Sequence, residues 1–112
     1  MGYFVYADEV DRIKFGNDWV DIKKRMSYGD QQKLVASYMK LQTQMKEVTP
    51  DIDLDIESGN ITLLMLNINA WSFKDKSGGI AMVNEDTIRM LDPTIANKLV
   101  NEINKRNPPP KA

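Results

Sequence analysis

Asp51, Asp53, Asp55 and Glu57 place carboxylates at alternate positions, the pattern that opens an EF-hand calcium loop. The rest of such a loop is missing, because Ile56 stands where it needs glycine and Thr62 where it needs a bidentate glutamate. A solvated acidic linker accounts for the run, and so does a half-buried strand alternating acid with Ile52, Leu54 and Ile56. Lys23, Lys24 and Arg25 form a small basic cluster that could meet a phosphate or an acidic partner, or simply solvate the end of a strand. Gly78 and Gly79 are followed by neither a Lys-Ser pair nor a third glycine, so they read as a turn and not as a phosphate cradle.

The chain contains no histidine and no cysteine. That removes the Ser-His-Asp and Cys-His constellations, zinc sites built on imidazole or thiolate, and every disulfide. Any catalysis would fall to carboxylates, lysine or tyrosine, and no paired acids sit in a context that marks a pocket. The sequence therefore reads as non-enzymatic, with no cofactor and no metal.

Recognition is a better use for the side chains present, since aromatic residues concentrate at interface hot spots. Trp71 continues an apolar stripe with Ile61, Leu64 and Ile68, which assigns it to the core. Trp19 lies off the apolar alternation of its own segment and is flanked by basic residues. Trp19, Lys23, Lys24 and Tyr28 are accordingly the candidate partner-binding residues.

These residues need a scaffold. Tyr3, Phe4, Val5 and Tyr6 could form a short edge strand. Ile13 and Phe15 alternate with polar neighbours, Gly16, Asn17 and Asp18 suit a turn, and Val20 and Ile22 resume the alternation, which predicts a β-hairpin over about 12–23. Its apolar face needs a cover, most simply a helix, because a lone hairpin is marginal in water.

Ser27, with Asp30 three residues later, caps a predicted helix over about 28–46, striped by Leu34, Tyr38, Leu41 and Met45 and widened by Val35 and Met39; Thr49 and Pro50 follow as its stop. Ser58, Gly59 and Asn60 read as a turn or cap before a central helix over about 60–73, apolar on most sides and rich in leucine and methionine. Asn84 caps a short helix over about 85–91, and Asp92 with Pro93 opens a last one over about 93–106. Lys105 and Arg106 suit its C-terminus, and 107–112 form a proline-rich tail to which little fold stability is assigned. The expected architecture is α+β but mainly α, with a small N-terminal β-hairpin, in a single compact helical domain of three to four helices within 1–110.

The 112 residues fit one domain with a modest core, and 42% apolar with 28% charged residues is an ordinary globular balance. A formal charge of -1 gives no bulk attraction for nucleic acid. The longest purely aliphatic run, 63–66, is too short to span a membrane, and the first residues lack a secretory pattern, so a cytosolic location is expected.

Trp19 through Arg25 with Ser27 to Asp30, then Trp71, Ser72, Phe73, Lys74, Asp75 and Gly78, then Asn84 to Ile88 through Leu91, Asp92 and Pro93 to Asn107, Pro108 and Pro109 form a diffuse pattern of helix punctuation. It resembles the tail assembly chaperones of long-tailed, siphovirus-type bacteriophages, over about residues 14–110. Ile80 to Val83 depart from it where proline is expected, and the N-terminal aromatic run has no counterpart. The resemblance implies a non-enzymatic chaperone of the host cell cytoplasm that binds the tape measure protein, helps recruit tail tube protein and is absent from the mature virion. Self-association is compatible with it. The competing reading is a structural head-tail joining or tail completion protein, which would remain in the virion.

Overall fold

The computed structural model describes residues 2–44 and 52–108 of the chain. Two antiparallel strands, β1 (Val10–Phe15) and β2 (Asp18–Lys23), form the hairpin, with Ile13 opposite Val20. Gly16 at the turn has φ of +62°, a conformation in which a β-carbon is strained. Val20 and Ile22 are fully buried, and Ile13 and Phe15 pack beside them. The predicted strand at 3–6 does not form; the chain turns there, with the Glu9 N–H donating to the Tyr6 carbonyl at 3.1 Å, before β1 begins.

Helix α1 (Tyr28–Gln44) follows, and Ser27 Oγ accepts the Asp30 N–H at 3.1 Å. Leu34 reaches the core, whereas the side chains of Tyr38, Met39 and Leu41, and Met45 entirely, lie outside the described residues, as does the expected stop at Thr49 and Pro50. Helix α2 (Ile52–Asn67) packs along α1. The linker or strand expected near 51–57 is corrected: the backbone is helical from Ile52, while the acidic side chains themselves lie outside the described residues. Gly59 is neither a turn nor a cap, but a buried position within that helix.

The main correction concerns the expected mainly α architecture. Among the described residues the domain holds a three-stranded antiparallel sheet in the order β1-β2-β3 and four helices, so β structure extends well beyond an N-terminal hairpin. The predicted helix over 60–73 stops at Asn67, and Ile68–Trp71 becomes β3, paired with β2. Segments apolar on most sides have no clear period that separates helix from strand, and here the unpaired edge of β2 decides. Asn67 marks the change: fully buried, it turns Nδ2 back onto the Leu63 carbonyl at 2.8 Å. A bulge follows, with Asp21 opposite Ala70 and Ile22 opposite Ile68, which leaves Asn69 as the extra residue.

Beyond β3 a small irregular hairpin returns the chain, with Lys74 bridged to Ile80 and the Ala81 N–H donating to Phe73 at 2.8 Å. Asn84 and Thr87 form a reciprocal capping box on α3 (Glu85–Arg89). Asp92 caps α4 (Pro93–Arg106), with Pro93 at its start. Leu99 and Ile103 of α4 join Val20, Ile22, Leu63, Leu64, Ile68, Trp71 and Ile88 in one core. The assignment of Asn107 to an inert tail is also corrected: its Nδ2 donates to Ile103 at 2.9 Å, and its Oδ1 accepts the Met26 N–H at 2.8 Å. Residues 109–112 lie outside the described part.

Candidate functional site

The pairing of β1 with β2 puts Ile13, Phe15, Val20 and Ile22 on the core side, and therefore Arg12, Lys14, Trp19, Asp21 and Lys23 on the other. On that outer face the Arg12 guanidinium lies 3.8 Å from the Trp19 ring centroid. Its Nε and Nη2 donate to the two carboxylate oxygens of Asp21 at 2.8 and 3.2 Å. The hydrogen bonds and charge of Asp21 raise the guanidinium above its ordinary pKa against a smaller opposing effect of desolvation. The cation over the indole is thereby held in position by two bonds. Trp19 is half-buried, leaving part of the stack open to a partner.

Lys23 shares this face and donates from Nζ to Asp30 Oδ2 at 2.9 Å, tying β2 to the first turn of α1. Tyr28 stands at that helix start, 78% exposed. The structure thus puts Trp19 and Lys23 on one sheet face, and exposed Tyr28 at the start of the helix to which Lys23 is tied. Lys24 belongs elsewhere, lining with Arg25 the hollow formed by the N-terminal segment. Sequence alternation picked out Trp19 but missed Arg12, whose role depends on Trp19 and Asp21 across the strand pair. A cross-strand reading of the hairpin register contains that signal.

A second surface was not anticipated. Trp71, Phe73, Ala81, Met90, Leu91 and Ile95 line an open groove of about 320 Å³ between the β3 hairpin and the α3–α4 corner. The indole Nε1 of Trp71 donates to the Ala81 carbonyl at 2.7 Å, and the Trp71 and Phe73 rings meet at 5.4 Å, so the groove wall is held in place. Met90 is 80% exposed, and Met82 and Ile80 are exposed on the same loop as Ala81. Nothing in sequence periodicity marks this groove, because Ala81, Met90 and Leu91 of its lining lie in irregular chain. Among the described residues no group of three or more acidic side chains converges as a metal site, and no helix is long and apolar enough to cross a membrane. Both surfaces offer shape, aromatic area and charge for recognition.

Comparison with family models, with curated proteins and with solved structures finds no match to this chain.

Proposed function

We propose that this chain is a non-enzymatic tail assembly chaperone of a long-tailed bacteriophage, which binds the tape measure protein in the host cytoplasm, helps recruit tail tube subunits and leaves before the virion matures. The observation that carries the reading is the Arg12–Trp19–Asp21 stack on the outer sheet face. A preorganised Trp–Arg pair with Lys14, Lys23 and an exposed Tyr28 around it has the composition of an interface hot spot. It suits an amphipathic helix bearing acidic side chains, a segment type that a long helical target repeats many times, so that modest affinity per contact becomes avidity.

The pattern behind the resemblance also makes sense on this scaffold. Its two tryptophan segments meet where the Ser72 N–H donates to the Trp19 carbonyl at 3.0 Å and Ser72 Oγ accepts the Trp19 N–H at 2.9 Å. Asn84, Asp92 and Asn107 of the pattern all act as caps.

Coexpression with the tape measure protein of the same genome tests the proposal, together with mass spectrometry of purified virions. The expected result is soluble co-purification with the chain absent from virions. Trp19→Ala and the fold-neutral Tyr28→Ala should each weaken capture by about tenfold, the effect of losing one hot-spot side chain. Capture unchanged by both substitutions, or stoichiometric presence in virions, would overturn it.

A further inference from the structure

Two segments that neither the core nor the outer sheet face uses are anchored beside one another. The first is the aromatic stretch ahead of β1. Tyr3 is 95%, Phe4 79% and Tyr6 57% exposed, and Phe4 and Tyr6 line a hollow of about 390 Å³ with Glu9, Lys24 and Arg25. The second is the run Pro108-Pro109-Pro110. Pro108 is exposed, and Pro109 and Pro110 follow it outside the described residues.

Hydrogen bonds fix where the proline run starts. Asn107 Oδ1 accepts the Met26 N–H at 2.8 Å, and Arg106 Nε donates to Asp11 at 2.9 Å, so α4 ends against the beginning of β1 and the exit of β2. The aromatic stretch is held at the same place, because the Lys24 N–H donates to the Glu9 carbonyl and the Glu9 N–H to the Tyr6 carbonyl, both at 3.1 Å. The run therefore begins one residue after a contact with Met26, whose neighbour Arg25 already lines the hollow. From Met26 back to Lys24 is two residues, about 7 Å at strand spacing. Three prolines in a polyproline II helix span about 9 Å, enough to cross it.

The chemistry of the hollow suits such a run. Proline has no N–H to be stranded when its ring lies on an aromatic face, and its fixed φ leaves little entropy to lose on docking. Aromatic-lined grooves take polyproline II segments for these reasons. Phe4 and Tyr6 supply the rings, while the Tyr6 hydroxyl, Lys24 and Arg25 supply donors for proline carbonyls. Asp8 and Glu9 offset Lys24 and Arg25, so the charges select neither an acidic nor a basic ligand.

From this geometry we infer that Pro108-Pro109-Pro110 lies as a strap across Phe4 and Tyr6 of its own chain. The strap ties the segment ahead of β1 to the end of α4 and, while closed, keeps the hollow from proline-rich segments of other proteins. Because both partners belong to one chain, closure does not depend on protein concentration. The inference is independent of the tape measure reading, since it concerns the purified chain alone.

Nuclear magnetic resonance of the full chain tests this. Cross-peaks should connect ring protons of the three prolines with those of Phe4 and Tyr6, and ring currents should displace the proline resonances from random-coil positions, both unchanged on dilution. Joint substitution Phe4→Ala and Tyr6→Ala, at exposed positions, should return the proline resonances to random-coil values. Joint substitution Pro109→Gly and Pro110→Gly should remove the cross-peaks to both rings. Neither pair should move the Met26 amide resonance, which reports the Asn107 bond, or alter the circular dichroism spectrum. Random-coil proline resonances in the native chain, displaced resonances that survive loss of both rings, or cross-peaks that vanish on dilution and so belong to a contact between copies would each overturn the inference.

Discussion

Asn107 and Met26, 81 residues apart in sequence, are joined by a 2.8 Å hydrogen bond from the Met26 N–H to the Asn107 side-chain carbonyl. The same side chain donates to Ile103 at 2.9 Å, so one amide closes the end of α4 and fixes the connection between β2 and α1. Met26 is itself a core residue, 8% exposed.

Asn107→Ala should therefore lower unfolding stability by about 1–3 kcal/mol, the cost of leaving a half-buried N–H without its acceptor. Urea denaturation followed by circular dichroism measures it. Asn107→Asp keeps the acceptor but adds negative charge at a helix C-terminus and removes the donor, so it should restore only part of the loss. A midpoint unaltered by Asn107→Ala would show that water replaces the bond.

A pH dependence follows from Lys23 and Asp30. Burial pushes the Asp30 carboxyl up, but the hydrogen bond and charge of Lys23 together with hydrogen bonding at Ser27 outweigh it and hold the group below its ordinary value. Both side chains are mostly shielded, with exposures of 17% and 15%. A carboxyl depressed in the folded state contributes stability above its unfolded pKa of about 4, and that contribution disappears as pH falls through the folded value. Asp30→Asn should be less stable than the native chain near neutrality, with the gap closing on acidification from about pH 5 toward pH 2. Urea midpoints across that range check it, and a gap that stays constant with pH would refute the linkage.

Elements governed by local chemistry were legible in the sequence. Gly16 and its alternating flanks gave the hairpin, Asn84 gave a capped helix, and Asp92 with Pro93 opened another. What escaped was decided at long range. Residues 61–73 are apolar on most sides, and only the pairing of Ile68 and Trp71 with β2, nearly fifty residues earlier, turns their end into a strand. Gly59 was misread because glycine usually signals a break, whereas here its missing side chain is tolerated in a buried turn of α2. On the candidate site, Trp19 was visible through alternation; Arg12 and the groove around Met90 required the register and the irregular loop to be known.

Calcium at up to millimolar concentration, and chelation by EDTA, should leave the melting temperature unchanged. The alternating acids at 51–57 lack the glycine and glutamate of a calcium loop, and the backbone from Ile52 is helical where such a loop must wind around the ion. A ligand bound to the folded state raises the melting temperature once its concentration exceeds Kd. A calcium-dependent rise, reversed by EDTA, would contradict this reading.

Trp71→Phe isolates a hydrogen bond that shapes the groove. The indole is 3% exposed, and its N–H is the donor that holds the Ala81 carbonyl at 2.7 Å, so the loop through Gly78 is pinned to β3 by both this bond and the Ala81 to Phe73 backbone bond. Phenylalanine keeps most of the apolar contact but leaves the carbonyl unpaired and a gap where the larger ring stood. The expected loss is about 1–3 kcal/mol in unfolding free energy, of the size seen when a buried acceptor loses its donor. Amide exchange should accelerate more at Ala81 and Gly78, whose N–H groups donate within the loop hairpin, than at Val20 on the central strand. Uniform acceleration across the chain would mean that Trp71 acts through the core alone and not through the loop it bonds.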